Sequence, residues 1–114
     1  MNKVYLYEIL VPTIVDKKHV DVTYHRLWDV KVKKITGGLT IHKSSKGYWV
    51  DGEGETFAER MIPVKIMCTE EQMQEIADIT AEHYNQISIM FYRVSSEVTI
   101  KNYYKMPASR LEDR

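Results

Sequence analysis

Phe57-Ala58-Glu59-Arg60-Met61-Ile62-Pro63-Val64-Lys65-Ile66-Met67-Cys68, followed at once by Thr69-Glu70-Glu71-Gln72, decides the fold of this chain. In the first twelve residues Ile62, Val64, Ile66 and Cys68 share one parity, and Met61, Pro63, Lys65 and Met67 the other. That period of two is the signature of a long strand. Pro63 has no N–H to give to a ladder, so there the strand must be an edge or carry a bulge. The four residues that follow are a capping box, in which the Thr69 and Gln72 side chains satisfy each other's backbone N–H groups. Met73, Ile76, Ala77, Thr80 and Tyr84 then recur on one helical stripe, and Asn85-Gln86 closes the helix.

Working towards the N-terminus, Asp51-Gly52-Glu53-Gly54 is the strongest turn signal, with Tyr48-Trp49-Val50 extended before it and Ser44-Ser45-Lys46-Gly47 a second turn. Residues 39–43 alternate apolar and polar. Gly37-Gly38 ends a helix expected to start at Thr23 as N-cap, with Trp28, Val32 and Ile35 on its apolar stripe. Residues 16–19 read as a solvated connection, and residues 4–11 as a first strand buried largely on both faces and stopped by Pro12. Towards the C-terminus, residues 87–94 predict another strand and 98–103 a last short one. One domain is expected over residues 1–106, with 107–114 a polar tail.

Two crossover helices around an antiparallel hairpin predict an α+β fold, a ferredoxin-like sandwich with an antiparallel sheet and two helices on one face. The other face must meet solvent, a ligand or another subunit. Val4 and Leu6 oppose Tyr5 and Tyr7 in parity, as Met90 and Tyr92 oppose Ile89 and Phe91, so neither face is fully polar. Sixteen acidic side chains balance sixteen basic ones, which leaves self-association weakly opposed, and eight tyrosines, two tryptophans and six methionines must be placed. A homo-oligomer packed through the open face is the expectation.

The same charge balance gives no global field to draw the chain onto nucleic acid or anionic lipid. Lys31, Lys33 and Lys34 with Lys17, Lys18 and Arg26 are the most basic region, but Glu8, Asp21 and Asp29 dilute it, so nucleic acid is not an expected partner. Cys68 is the single cysteine and shares parity with the expected core, which favours a small buried residue in a reducing compartment over a reactive thiol. No apolar run approaches the length of a membrane span or signal segment, so the cytoplasm is the expected location.

No catalytic motif appears. His19, His25, His42 and His83 stand at no ligand spacing, so no metal and no cofactor is expected, and neither glycine pair carries the ending of a phosphate loop. What remains is a tentative ligand-binding set near strand segments: Thr40, His42, Trp49, Glu59, Arg60, Tyr92 and Arg93. Arg60 and Arg93 have the shape to fork onto an anion, and Trp49 or Tyr92 to stack on a planar ring, as a small anionic or nucleotide-like ligand requires. The alternative is that Glu59 pairs across strands with Arg60 or Arg93 while Trp49 packs in the core.

Gly38-Leu39-Thr40, then Gly47 and Trp49, then Glu59, then Tyr84 and Gln86 before an apolar strand resemble a family of small uncharacterised bacterial and phage domains marked by G-L-T, G-x-W, a glutamate and Y-x-Q. The match spans roughly residues 37–94. The resemblance implies a ferredoxin-like shape and no particular reaction; for a phage accessory or counter-defence protein, it would fit sequestration of a host signalling nucleotide or blocking of a host defence protein. The first functional reading is thus a small, non-enzymatic, homo-oligomeric module that binds a small polar ligand or a protein partner. The second is a small dimeric ferredoxin-like enzyme with its pocket between sheet and helices, using His42, Glu59 or a tyrosine for proton transfer.

Overall fold

The computed structural model describes residues 3–104. Strand β1 (Val4–Pro12) runs into a small hairpin, β2 (Ile14–Val15) and β3 (Lys18–His19), and then helix α1 (Val22–Thr36). Two short edge strands follow, β4 (Thr40–Ile41) and β5 (Ser45–Val50), then the long β6 (Thr56–Thr69), helix α2 (Glu70–His83) and β7 (Phe91–Ser95). The sheet order is β4-β6-β1-β7, with β5 also on β6 and every pairing antiparallel. With both helices packed on one face, this is the ferredoxin-like α+β sandwich that the sequence predicts.

The core lies between that face and the helices. Tyr7, Ile9 and Val11 of β1 and Val64, Ile66 and Cys68 of β6 are buried against Trp28 and Val32 of α1 and Met73, Ile76 and Tyr84 from α2 and its cap. The first strand is therefore buried on one face, not both: Leu6, Glu8 and Leu10 are half-buried on the open side, where no helix of the described residues covers them. Burial also pushes the Cys68 thiol up to about 11, which leaves it protonated and unreactive at neutral pH.

Pro63 reconciles a proline with a central strand. Its carbonyl accepts from His42 N–H at 2.9 Å, so its backbone polar groups face the β4–β5 edge. There the edge strand breaks, β4 pairing with Lys65 and Val64 and β5 starting at Met61. The missing N–H thus falls where no neighbour asks for it. The break also converts the turn expected at 44–47 into the start of β5.

Other differences have local causes. Asp16 and Lys17 both take positive φ, so the connection expected at 16–19 is a tight turn at 16–17 followed by β3. Asp21, whose carboxylate accepts from Thr23 N–H, caps α1 in place of Thr23. The capping box at Thr69 and Gln72 forms as expected, each side chain meeting the other residue's N–H. Residues 87–90 lie outside β7 and 98–103 form no strand, while the tail at 107–114 lies outside the described residues.

Gly37 sits at φ +83° as the α1 cap and donates to Lys33 O at 2.8 Å, with open space where a Cβ would stand. Gly37→Ala should therefore cost only the left-handed backbone penalty, roughly 1–2 kcal/mol, whereas Gly38→Ala should be nearly neutral. Chemical denaturation of the two variants checks this, and equal losses would contradict the cap.

Candidate functional site

Because β6 is longer than β1, its first residues project past the helices with β5 as their partner. The odd-numbered residues of β6 face away from the core, so Phe57, Glu59 and Met61 belong to the open face. Their register partners Trp49, Gly47 and Ser45 join them there. Trp49 is 47% exposed and stacks on Phe57 at 4.7 Å and 19°. Gly47, opposite Glu59, has no side chain to shadow the carboxylate.

The turn after α2 closes a groove of about 580 Å³ over this region, with Leu10, Trp49, Glu59, Met61, Ile87 and Met90 among its walls. Among the described residues Glu59 is the one acid lining it, and no lysine, arginine or histidine does. Such a groove offers an aromatic face, apolar walls and a single strong acceptor. Between sheet and helices, by contrast, the recess beside His25, Asp29 and Tyr84 is about 90 Å³. That recess is smaller than the ~300 Å³ of a typical small-molecule site.

Of the seven residues singled out in the sequence, Trp49 and Glu59 meet in the groove. Tyr92 is on the same face, its hydroxyl donating to the Glu8 carboxylate across from it. Thr40 sits at the other end of β6 opposite Lys65, in a shallow recess under Gly37 and Gly38. His42 is exposed and held by its backbone.

Arg60 points from the opposite face to Glu59 and reaches Ser44 O and Oγ at 3.3 Å. Arg93 lies with its guanidinium 3.7 Å from the Tyr5 ring centre and donates to the Tyr7 hydroxyl at 3.4 Å. Met61, next to Arg60, pairs with Pro12, and Arg93 pairs with Tyr7, five residues away on β1 or roughly 17 Å. Two corrections follow. The arginines do not converge on one anion within the chain, and Glu59 pairs with neither, since its register partner is Gly47 and that of Arg60 is Lys46.

A second cluster, missed in the sequence, joins the ends of the helices. Tyr24 and His25 of α1 meet His83 and Tyr84 of α2 in crossed pairs. The Tyr24 ring stacks on His83 at 4.1 Å, and His25 Nδ1 lies 2.7 Å from the Tyr84 hydroxyl. His83 is 6% exposed; its Nε2 donates to Tyr24 O at 2.8 Å, its Nδ1 accepts from Lys31 Nζ at 3.1 Å, and its own carbonyl accepts from the Tyr24 hydroxyl. One turn along, Trp28 Nε1 donates to Thr80 Oγ1 at 2.9 Å. The mirrored order Tyr-His and His-Tyr at the two ends was the available signal.

Desolvation by burial holds both imidazoles below their ordinary value of 6.5, against the Asp29 carboxylate for His25 and the Tyr24 carbonyl for His83.

In fold the chain matches solved structures of low sequence identity. CutA of Archaeoglobus fulgidus, described as a periplasmic divalent cation tolerance protein, is 14% identical, with 86% of this chain and 88% of that one covered at a TM-score of 0.63. CutA1 of Oryza sativa is 9% identical over 89% and 85%, at 0.63. A phage SAM lyase in complex with S-methyl-5'-thioadenosine is 15% identical over 84% of each chain, at 0.62. The chain has the CutA-type ferredoxin fold. No protein-family model matches the sequence, and no match is found among curated proteins. Among the described residues no three His, Cys, Asp or Glu side chains form a group able to hold a metal ion, and no helix is long and apolar enough to cross a membrane.

Two outcomes are expected. Arg60→Ala and Arg93→Ala, being far apart with separate partners, should change stability additively to within about 0.5 kcal/mol; strong coupling in the double variant would contradict the placement. For the histidines, the unfolded chain binds protons that the folded chain refuses, so their contribution is complete above pH 6.5 and is lost as pH falls through it. Asp29, pushed up by burial, acts with the opposite sign nearer the carboxylate range. Melting temperatures should therefore fall between pH 7.5 and 5.5, and fall less in His25→Gln.

Proposed function

We propose that this chain is a small, non-catalytic binding module that self-associates through its open sheet face and holds a small ring-bearing ligand of nucleoside type in the groove at Trp49 and Glu59. The observation that carries this reading is the exposed Trp49–Phe57 stack beside the Glu59 carboxylate in a groove walled mainly by apolar side chains. A planar ring gains stacking and cation-free apolar contact there, and Glu59 accepts from the hydroxyls or exocyclic amine such a ligand carries. A phosphate would be repelled by Glu59 and would find no cation among the described residues that line the groove, which favours a neutral or cationic ligand.

The fold likeness to a phage lyase solved with S-methyl-5'-thioadenosine, itself a nucleoside, supports the ligand class. The resemblance of residues 37–94 to phage domains supports a phage accessory or counter-defence role, with the ligand taken from the host. Self-association is supported by the half-buried Leu6, Leu10 and Met67 and the exposed Met90, Tyr92 and Val94 on a face that no helix of the described residues covers, in a chain of zero net charge. Cys68, kept as a thiol, fits a cytoplasmic setting.

A second reading, a lyase that uses Glu59 as its base, draws on the same carboxylate and on the same neighbour. Calorimetry with adenosine, S-methyl-5'-thioadenosine and S-adenosylmethionine should show binding of at least one. Trp49→Ala should weaken it by about 1–3 kcal/mol. Glu59→Gln should weaken it by roughly 1.5–3 kcal/mol. Release of S-methyl-5'-thioadenosine from S-adenosylmethionine would select the lyase, and no binding of any of the three by folded protein would remove both readings. Light scattering should give a mass above the 13.4 kDa of one chain.

A further inference from the structure

We propose that the crossed Tyr24–His83 and His25–Tyr84 pairs form a proton-operated latch between the two helices, closed while His83 is neutral and opened when its Nδ1 takes up a proton. The hydrogen bonding fixes the closed state. The Tyr24 carbonyl can only accept, so Nε2 carries the ring's proton. The Lys31 ammonium can only donate, so Nδ1 must be bare. A proton arriving at Nδ1 from solvent removes the acceptor that Lys31 uses and sets two cations 3.1 Å apart, so Lys31 must leave.

The Tyr24 carbonyl, which accepts from Nε2–H in either state, favours the charge, but burial of the ring outweighs it and Lys31 adds to that. From α1, Lys31 and His25 oppose a charge on His83, and Asp29, the nearby acid of that helix, lies beside His25 and acts on it. The β2–β3 hairpin and the α1 cap present Asp16, Lys18, His19 and Asp21 around a cleft of about 520 Å³ that His83 lines. None of them hydrogen-bonds to the His83 ring, whose two nitrogens are taken by the Tyr24 carbonyl and Lys31, and the cleft gives solvent protons a route to the ring.

His83 is the last residue of α2, and the chain turns immediately after it through Asn85 at φ 51°. The turn is held by Tyr84 N–H to Thr80 O, Asn85 N–H to Glu82 O and Gln86 N–H to Ala81 O. Opening the latch releases the end of α2 and with it this turn, which goes on to supply Gln86, Ile87, Ser88 and Met90 to the groove wall. That acid thereby weakens ligand capture rests on the groove reading above; the latch itself does not.

The latch is tested without ligand, on the full ¹⁵N-labelled chain between pH 8 and 5. At pH 8 the His83 ring should show the neutral Nε2–H tautomer. On acidification, protection of the Tyr84, Asn85 and Gln86 amides should fall with the same midpoint as the ring protonates. His83→Gln, which keeps a donor for Tyr24 O, should abolish the step, and Lys31→Met should move it to higher pH. An Nδ1–H tautomer at pH 8, unchanged protection after the ring has protonated, or a step that survives in His83→Gln would overturn the proposal. If His83→Gln does not fold, Lys31→Met decides: a midpoint that stays or moves lower overturns it. A failed ligand titration with an intact step would sink the groove and leave the latch standing.

Discussion

Every other part of this molecule depends on the antiparallel ladder between β1 and β6, in which each residue from Val4 to Pro12 has a partner between Thr69 and Met61. It fixes parity on both strands at once. Tyr7, Ile9 and Val11 fall on the same side as Ile66, Val64 and Ile62, and a slip of one residue would turn Glu8 and Lys65 into the core. The helices then have a single apolar surface on which to settle. β7 on the far side of β1 and the β4–β5 edge on the far side of β6 follow from which backbone groups the ladder leaves free.

The ladder also explains where a site is able to form. β1 ends at Pro12 while β6 starts at Thr56, so the segment before Met61 finds only β5 as a partner. Neither helix reaches it, which is why Trp49 and Phe57 pack on each other instead of into the core. Large aromatics in a two-stranded projection are costly to leave wet unless something covers them. The break at Pro63 separates this projection from the β4 end, and so separates Trp49 and Glu59 from Thr40.

Much of this was legible in the sequence because it rests on local rules. The capping box at Thr69, the parity of residues 57–68, the Gly37 cap and the buried Cys68 each depend on a few adjacent residues. The failures needed tertiary information. That Pro63 lies in a central strand depends on a gap in a neighbour nearly twenty residues earlier. Arg60 and Arg93 looked convergent because strand adjacency says nothing of level along the sheet. The helix-end cluster was missed because its two mirrored dipeptides, Tyr24-His25 and His83-Tyr84, are joined only by the antiparallel approach of α1 and α2.

That approach carries an unusual share of hydrogen bonds for an interface between two helices on a sheet. From Gln72 Nε2 on Ile35 O at 3.1 Å, through Trp28 on Thr80, to His83 on Tyr24, polar contacts mark its length. An apolar seam would tolerate sliding by part of a turn, because many packings of similar area compete. Here a slide would strand Trp28 Nε1 and both nitrogens of His83 in a buried layer without partners, and each such group costs about 1–3 kcal/mol. The helices are therefore held to one register by the penalty for leaving it rather than by the strength of any single bond. A register enforced in this way is sensitive to the one member of the set whose donor and acceptor pattern changes near neutral pH, and that member is histidine.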